Sequence, residues 1–355
     1  MTMQLPECNI HTKPCPSCYV CGSDGVCTYH GLKDRLFGVP GEWNLKRCVN
    51  PYCGTYWLDP MPVEVDLPKF YTNYYTHQDV PRASVRSGLR SRLANLWWRG
   101  GSAYLHAQYG YGSAQPSTLD RLLGLLLRLN PAWCANLDFS VFYLPARPGG
   151  RLLEVGCGSG GILETMAARG WQVTGQDFDE QAVRNARSKG LTVYHGDLQH
   201  QNFEDESFDA IVLSHVIEHV PDPRSLLREC RRILKIGGAL VVITPNVSGR
   251  LHQVYGKNWL HLDPPRHLIL FSARSLDGLA HDVGFKDATV ITTVRDIGHL
   301  WLASSSIRNR GSYEMGRRAS PRDRFCAEVA GLFLGCLHLL DQTKGDELVA
   351  VCRKQ

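Results

Sequence analysis

Short apolar segments alternate with amphipathic ones from residue 150 onward, and this alternation restricts the fold more than any other feature of the chain. Five segments predict strands: "RLLEVGCG", "WQVTGQD", "LTVYHGD", "FDAIVLSHV" and "ALVVITPN". Parallel strands joined by helical crossovers explain such a repeat, and they place ligands at the carboxyl ends of the strands. Two later segments, 288–294 and 347–354, should complete an α/β fold: a Rossmann-like, seven-stranded, mostly parallel sheet with helices on both faces.

The helix before the fifth of these strands has the clearest predicted boundaries. Asp222 is suited to the N-cap and Pro223 to the first helical position, and Gly237 marks the predicted end. The fifth strand should therefore begin just after this glycine.

A glycine-rich turn, "LLEVGCGSGG", ends the first predicted strand. Three glycines match the G-x-G-x-x-G spacing of dinucleotide-binding proteins: Gly156, Gly158 and Gly161. Glu154 argues against that interpretation, because a pyrophosphate gains nothing from a carboxylate so close to it. Gly160 adds an alternating E-x-G-x-G-x-G spacing. Asp177 and Asp197 end the next two strands, and three acids so placed suit a cationic adenosine ligand.

These residues resemble the class I S-adenosylmethionine-dependent methyltransferases over roughly 150–290 and the final strand. The resemblance implies cofactor contacts from Glu154, Gly156, Gly158, Gly160, Asp177 and Asp197. It gives Asp177 the ribose hydroxyls and Asp197 the adenine amine, while Phe178 or Leu198 could pack on the adenine ring. The cysteine-rich start, "YTNYYTH" and "WLHLDPPRHLILFS" are similar to the members of the superfamily that carry a zinc ribbon.

The stretch "SHVIEHVPDP" follows the fourth strand and should lie where a methyl acceptor meets the cofactor. Its H-x-x-E-H pattern matches the inverted zinc-protease motif, but Pro221 prevents the sustained helix which that motif requires. The stretch also resembles the E-x-x-E-H motif of ubiquinone-biosynthesis O-methyltransferases, whose side chains hold a divalent ion. Three roles stay open: a metal site of His215, Glu218 and His219, proton acceptance by His215, or a hydrogen bond that caps the turn. His267 is a second candidate for the base.

Seven of the 13 cysteines lie within the first 53 residues. A C-x2-C pair and a C-x4-C pair, each followed by glycine, predict a structural Zn²⁺ site of Cys18, Cys21, Cys48 and Cys53. Cys15 could replace one ligand, and unrelated buried cysteines are the alternative. We therefore expect a zinc-ribbon module over 1–60, a linker and helical lid over 61–149, and a methyltransferase domain over 150–355.

Composition is that of an ordinary globular protein, with 43% apolar and 21% charged residues and a net charge of +5. The first residues lack a signal-peptide core and no apolar run reaches about 18 residues, so we expect a cytoplasmic protein. We expect a methyltransferase that acts on a hydroxyl or carbon of a small molecule, such as a lipid-linked or sugar intermediate. The strongly apolar helices would also allow peripheral contact with a membrane. An RNA methyltransferase is disfavoured because residues 1–60 lack a basic stripe with interleaved aromatics. A non-catalytic zinc-binding interaction protein is the other alternative.

Overall fold

The computed structural model describes residues 10–71, 89–112, 115–316 and 319–355 of the chain. Its N-terminal part consists of short antiparallel strands followed by a 3-10 helix at Glu64–Tyr71. The strands are β1 (Thr12–Lys13), β2 (Gly25–Leu32), β3 (Trp43–Cys48), β4 (Tyr56–Leu58) and β5 (Met61–Pro62). The strands β1 and β5 pair with each other, while β2, β3 and β4 are neighbours in a second sheet.

Three helices lead from this part to the central sheet: α1 (Leu89–Tyr109), α2 (Thr118–Leu127) and α3 (Pro131–Phe139). The start of α2 is fixed by a capping box, in which Ser117 and Asp120 satisfy each other's backbone N–H groups. Asn130 caps α3, whose first position is a proline.

The remaining elements alternate between strand and helix as the sequence predicts. They are β6 (Arg151–Val155), α4 (Gly161–Ala168), β7 (Gln172–Asp177), α5 (Glu180–Ser188), β8 (Val193–His195), β9 (Phe208–Ser214), α6 (Pro223–Ile233), β10 (Leu234–Pro245), α7 (Arg250–Tyr255), β11 (Ile269–Leu270), α8 (Ala273–Asp282), β12 (Asp287–Thr293), α9 (Ile297–Arg310), α10 (Pro321–Leu340) and β13 (Glu347–Arg353). Among the described residues, no helix has the length and apolarity needed to cross a bilayer.

The central sheet has seven strands in the order β12-β13-β10-β9-β6-β7-β8. The last strand of the chain, β13, is inserted between β10 and β12 and runs antiparallel to both. The pairings of β10 with β9, β9 with β6, β6 with β7 and β7 with β8 are parallel. The predicted mostly parallel, seven-stranded sheet is therefore confirmed.

Both faces of this sheet are covered. On one face, Tyr104 and Leu105 of α1 and the buried residues 141–144 pack against apolar side chains of β6, β9, β10 and β13. The segment that the sequence predicts as a helical lid therefore supplies a layer of the α/β fold. On the other face, apolar side chains of α6, α8 and α9 join a core that also contains the N-terminal strands.

The N-terminal sheet is completed by a strand from the far end of the chain. β11 pairs antiparallel with β4, through Ile269 opposite Trp57 and Leu270 opposite Tyr56, so the sheet order is β11-β4-β3-β2. Trp57 and Ile269 are both fully buried. The predicted boundary at residue 60 is thus crossed by backbone pairing, and the N-terminal part shares its core with the central domain.

The end of α6 differs from its prediction. Asp222 caps the helix by accepting a hydrogen bond from the backbone N–H of Ser225, as expected. However, the helix ends at Ile233 instead of Gly237, because Leu234 already pairs with Phe208 of β9. Gly237, with φ of 73°, lies in the irregular first part of β10, where the register shifts before Ala239.

Candidate functional site

The glycine turn between β6 and α4 has the backbone that only glycine adopts easily. Gly156 and Gly160 have φ of 71° and 76°. A Cβ atom at Gly156 would lie 2.4 Å from Val216 Cγ2, and one at Gly160 would lie 2.3 Å from Leu191 Cδ1. Gly158, with φ of 53°, donates its N–H to Asp177 Oδ2 at 2.7 Å. The turn is therefore fixed to the end of β7 by this hydrogen bond.

Glu154 is buried at the end of β6, with 5% of its surface exposed. Within the part of the chain that the structure describes, its Oε2 atom has no hydrogen-bond partner. Burial, and to a smaller degree the neighbouring Asp177 carboxylate, hold the pKa of Glu154 well above its ordinary range. A buried carboxyl group with an unpartnered oxygen is costly, and a cationic ligand group beside the glycine turn would relieve that cost.

Asp177 and Phe178 lie next to this carboxyl group at the end of β7. Asp177 accepts a second backbone N–H, from Asp179 at 2.9 Å, and burial raises its pKa. Phe178 is 44% exposed, so its ring presents an apolar face. Asp197 is exposed and lies 3.4 Å from His200 Nδ1, whereas Leu198 is 3% exposed and packs in the core. Of the predicted cofactor-binding side chains, Glu154, Asp177 and Phe178 are therefore the ones that lie together beside the glycine turn.

Tyr71 brings the N-terminal part of the chain to this site. Its ring meets that of Phe178 edge to face, with centroids 5.0 Å apart. Its hydroxyl lies 3.0 Å from Nδ1 of His219. Tyr71 thus connects the side of the site that Phe178 lines with the histidines beyond β9. It is the first residue of "YTNYYTH", and the rest of that element lies outside the described residues.

His215 occupies a strained position directly after β9, with φ of 53°. Its Nε2 atom lies 3.0 Å from Glu347 Oε1 and 2.9 Å from Arg295 Nη2, and its Nδ1 atom lies 3.2 Å from Glu218 Oε1. Burial alone would lower the pKa of His215, but Glu218 and Glu347 raise it to about 9. An imidazole that is already protonated at neutral pH is a poor proton acceptor, so the geometry does not favour the predicted role of His215 as a base.

His219 and His267 have a different environment from His215. Nδ1 of His219 lies 3.0 Å from the carbonyl oxygen of Arg266, and Nδ1 of His267 lies 2.7 Å from that of His261. Their rings pack edge to face with centroids 4.7 Å apart. Burial, and then the neighbouring His267, lower the pKa of His219 to about 4. Each of the two imidazoles therefore donates from Nδ1 and keeps the lone pair on Nε2.

Glu218 lies beneath these rings and is fully buried. Thr244 Oγ1 donates to its Oε2 atom at 2.9 Å, and its Oε1 atom lies 3.2 Å from Nδ1 of His215. Burial alone would raise the pKa of Glu218, but His215 and the two other histidines lower it to about 2. The extended backbone of Val220, with ψ of 129°, ends the short turn as the following proline predicts.

A buried ion pair holds the loop that carries His267. Arg266 donates to both carboxylate oxygens of Asp34, each at 2.8 Å, and to Asp263. The side chains of Arg266 and Asp34 are both fully buried. Because Asp34 follows β2, this pair fastens the N-terminal part to the histidine loop.

The four predicted zinc ligands come together at the other end of the N-terminal part. The Sγ atoms of Cys18, Cys21, Cys48 and Cys53 all lie within 4.8 Å of one another. Those of Cys18 and Cys53 are 3.7 Å apart, close to the spacing of about 3.8 Å that a tetrahedral Zn²⁺ with bonds of about 2.3 Å requires. The shared proton of this pair lowers the pKa of Cys53 to about 5. Cys15 is not part of the cluster, so the donor set fits zinc without it.

Three functional residues were missed by sequence reasoning: Tyr71, Arg295 and Glu347. Arg295 follows β12, and Glu347 begins β13, which runs antiparallel and so starts at the carboxyl edge of its neighbours. A charged residue at the start of the strongly apolar segment "ELVAVC" was the available signal for Glu347. For Tyr71, the only signal in the sequence was the tyrosine-rich composition of the residues around it.

Comparison with known proteins identifies part of the chain. Residues 127–290 match the profile of a methyltransferase-domain family. The ubiquinone biosynthesis O-methyltransferase of Xanthomonas oryzae pv. oryzae is 37% identical over 163 residues, which cover 43% of this chain and 58% of the relative. The enzyme of the same name from Idiomarina loihiensis is 37% identical over 128 residues, or 34% of this chain and 51% of the relative. The chain thus spans little more than half the length of the curated relatives it matches.

Solved structures are more distant. A phosphoethanolamine N-methyltransferase 2 of Haemonchus contortus is 17% identical, with a TM-score of 0.44 over 89% of this chain and 71% of the other. An S-adenosylmethionine-dependent methyltransferase of Thermotoga maritima is 20% identical, with a TM-score of 0.41 over 75% of this chain and 96% of the other. Residues 127–290 are therefore similar to a methyltransferase domain.

Proposed function

We propose that the protein is an S-adenosylmethionine-dependent methyltransferase that methylates a hydroxyl group of a small, lipid-linked acceptor. The observation that carries this proposal is the buried Glu154 beside the glycine turn, whose Oε2 atom has no hydrogen-bond partner among the described residues. The sulfonium cofactor also carries an ammonium group, which suits this carboxylate. A dinucleotide would instead bring a pyrophosphate to the same turn, and a carboxylate gives it no stabilisation.

The residues at the carboxyl edge of the sheet divide the work between cofactor and acceptor. Asp177 has further lone pairs for the ribose hydroxyls, and the exposed ring of Phe178 supplies a surface for packing. When bound, the cofactor would supply the methyl group: a C–O bond would form as the C–S bond breaks, sulfur would keep the electron pair, and the proton of the acceptor hydroxyl would pass to solvent water. The protein mainly has to position the two reactants and exclude water. The histidines beyond β9 are the candidates for activating that hydroxyl.

The hydroxyl acceptor is supported by the names of the curated relatives, which are O-methyltransferases of ubiquinone biosynthesis. Methylation of carbon in a small molecule is the alternative within the same fold. The two alternatives outside it are an RNA methyltransferase and a non-catalytic interaction protein. Each makes a different prediction about which molecules become labelled.

A binding and labelling experiment tests the proposal. Calorimetry should detect binding of S-adenosylmethionine but not of NADH, and Glu154→Gln should weaken it by about 10-fold or more, as loss of one charge-assisted hydrogen bond predicts. Incubation of the protein with labelled cofactor and a lipid extract should yield a labelled lipid, whereas RNA should stay unlabelled. Heat from NADH without heat from S-adenosylmethionine would overturn the cofactor assignment. Labelled RNA, or no labelled molecule at all, would favour the other two classes.

We also propose that the four clustered cysteines hold a structural Zn²⁺. An ion that draws Cys18, Cys21, Cys48 and Cys53 together would contribute folding energy to this part of the chain. This role is separate from methyl transfer.

Contact with a membrane surface is a further part of the proposed function, and α2 is the element that would make it. Five exposed leucines lie at helical spacing on α2 and just after it: Leu119, Leu122, Leu125, Leu126 and Leu129. The exposed Arg121 and Arg128 flank this face. Leucines beside arginines suit an anionic lipid surface, where the apolar face enters the interface and the guanidinium groups meet lipid phosphates. Such contact would bring the protein to a lipid-linked acceptor.

A further inference from the structure

A continuous row of aromatic rings runs from the glycine turn to the turn after β9. Each ring contacts the next, with centroids 4.7 to 6.2 Å apart. In order along the row, the residues are Phe178, Tyr71, His219, His267, His261 and His215. Because the row follows the carboxyl edge of the sheet, a methyl acceptor bound next to the cofactor would lie against it.

Three of the four histidines in this row are held through their ring nitrogens. The two nitrogens of His215 lie 3.0 Å from a Glu347 oxygen and 3.2 Å from a Glu218 oxygen. Nδ1 of His219 and Nδ1 of His267 each donate to a backbone carbonyl. These two histidines and Glu218 also turn one polar atom each toward the others, all within 4.8 Å. The protein itself therefore engages these three imidazoles.

His261 has a different environment. In the described part of the chain, neither of its ring nitrogens makes a hydrogen bond. The side chain is partly exposed, and neither nitrogen is enclosed. Its ring packs with those of His215 and His267, at 6.0 and 6.2 Å, and the ring of Trp259 meets it edge to face at 5.4 Å. Packing thus holds the imidazole in place while its nitrogens stay available to a ligand.

The groups around His261 keep its imidazole neutral. Burial lowers its pKa, and so do His215 and His267, whereas the Glu218 and Glu347 carboxylates act in the opposite direction. The net result is a pKa well below the ordinary value of 6.5. His261 therefore keeps a free lone pair at neutral pH, in contrast to His215.

We propose that His261 accepts the proton of the acceptor hydroxyl during methyl transfer, a role that rests on the proposed function. As the C–O bond formed and sulfur kept the electrons of the C–S bond, the hydroxyl oxygen would become strongly acidic. Its proton would pass to a ring nitrogen of His261 and from there to solvent water. A weakly basic imidazole suffices, because the oxygen gives up its proton only while the new bond forms. The sequence suggests His215 and His267 for this role, but His215 is protonated and His267 is only 6% exposed.

The state of His261 can be measured without any methyl acceptor. In NMR spectra of the wild type, with His261→Gln used for assignment, this imidazole should stay neutral as the pH falls through 6.5. Diethyl pyrocarbonate acylates accessible, neutral imidazoles, so it should modify His261 faster than His215, His219 or His267, as mapped by peptide mass spectrometry. An imidazole that is protonated at pH 7, or that reacts more slowly than the other three, would overturn the proposal.

Transfer of labelled methyl groups to a lipid extract tests the role itself. At saturating cofactor, His261→Ala should lower the rate by about 10²–10⁴-fold, the usual contribution of a positioned base, and leave affinity for S-adenosylmethionine unchanged. Added imidazole should restore part of the lost rate, which it would not do for a side chain that only supports the fold. His299→Ala is the matched control, since His299 contacts Tyr313 outside the row, and it should keep the wild-type rate.

The outcomes separate this role from the proposed function. If the wild type labels a lipid and His261→Ala does so at the same rate, or at a reduced rate that imidazole does not restore, His261 is not the base and the proposed methyl transfer still stands. If the wild type labels no lipid, the proposed function is wrong and the base role is wrong with it. His261→Gln keeps a polar side chain of similar size, so it carries the rate comparison if His261→Ala fails to fold.

Discussion

Replacement of Asp34 by alanine should destabilise the protein far more than loss of an ordinary ion pair. Asp34 accepts two hydrogen bonds from Arg266, both at 2.8 Å, and three backbone N–H groups, those of Leu36, Phe37 and Val39, at 2.9 to 3.0 Å. The Arg266 guanidinium and these N–H groups hold the pKa of Asp34 below its usual value despite burial. All of these donors would lose their acceptor at once.

The size of the effect follows from burial. Removing one partner of a buried ion pair costs about 3–5 kcal/mol, because the other charge stays out of water. Asp263 remains beside Arg266 and compensates for part of the lost charge, so we expect about 3 kcal/mol for Asp34→Ala. Asp34→Asn keeps one oxygen acceptor for the backbone and should cost about half as much.

Equilibrium denaturation in urea measures both values through the free energy of unfolding. The matched control is Asp205→Ala, which removes an exposed partner of Arg232 and should change that free energy by less than about 1 kcal/mol. An Asp34→Ala protein within 1 kcal/mol of the wild type would refute the reasoning. Methyl transfer should fall in the same variant, since Arg266 also positions His219 through its carbonyl oxygen.

Four other predictions concern the site and its surroundings. The ammonium group of the cofactor should bind the ionised form of Glu154, whose pKa is raised, so affinity for S-adenosylmethionine should fall as the pH falls. Binding should therefore release a proton. Calorimetry in two buffers of different ionisation enthalpy measures this release, and proton uptake would contradict the prediction. The pKa of His215 is raised to about 9, so this side chain should act as a cation and activity should decline as pH rises through about 9. His215→Ala should abolish that decline in the pH–rate profile. If this variant instead loses an ionisation near 6 to 7, His215 is a base and the prediction is wrong. Cys53→Ser should release about one zinc per chain, measured by metal analysis, and a zinc-free wild type would contradict the structural role. Leu125 is 62% exposed, and Leu125→Glu should reduce sedimentation of the protein with anionic vesicles severalfold. Neither the wild type nor the variant should sediment with neutral vesicles. Unchanged sedimentation, or a change from dimer to monomer instead, would argue against a lipid surface.

The central sheet could be predicted from sequence because its signals are local. Apolar strand segments, the glycine turn and the proline after the first turn of "SHVIEHVPDP" each act within a few residues. The end of α6 could not be predicted, because pairing of Leu234 with β9 takes precedence over the glycine signal at Gly237. The strand β11 was also missed, since it has only two residues and forms by pairing with β4.

The site was predicted unevenly for the same reason. Glu154 and Asp177 lie at the ends of adjacent strands, so their proximity follows from strand order alone. The pKa of His215 is raised first by Glu218 and then by Glu347, which is 132 residues away and reaches His215 only because β13 is inserted next to β10. Spacing within the turn carries the contribution of Glu218 but not that of Glu347, so the full upward shift in the pKa of His215 appears only in the fold.

The pairing of β11 with β4 also sets the order of events during synthesis. The strands β2, β3 and β4 emerge from the ribosome early, but β11, the fourth strand of their sheet, is made only after roughly 200 more residues. Until then the edge of β4 and the buried face of Trp57 have no cover, and such edges invite pairing with other chains. Early capture of a metal ion by the cysteines would protect the nascent segment during this interval, so zinc shortage should be felt first as aggregation of newly made protein.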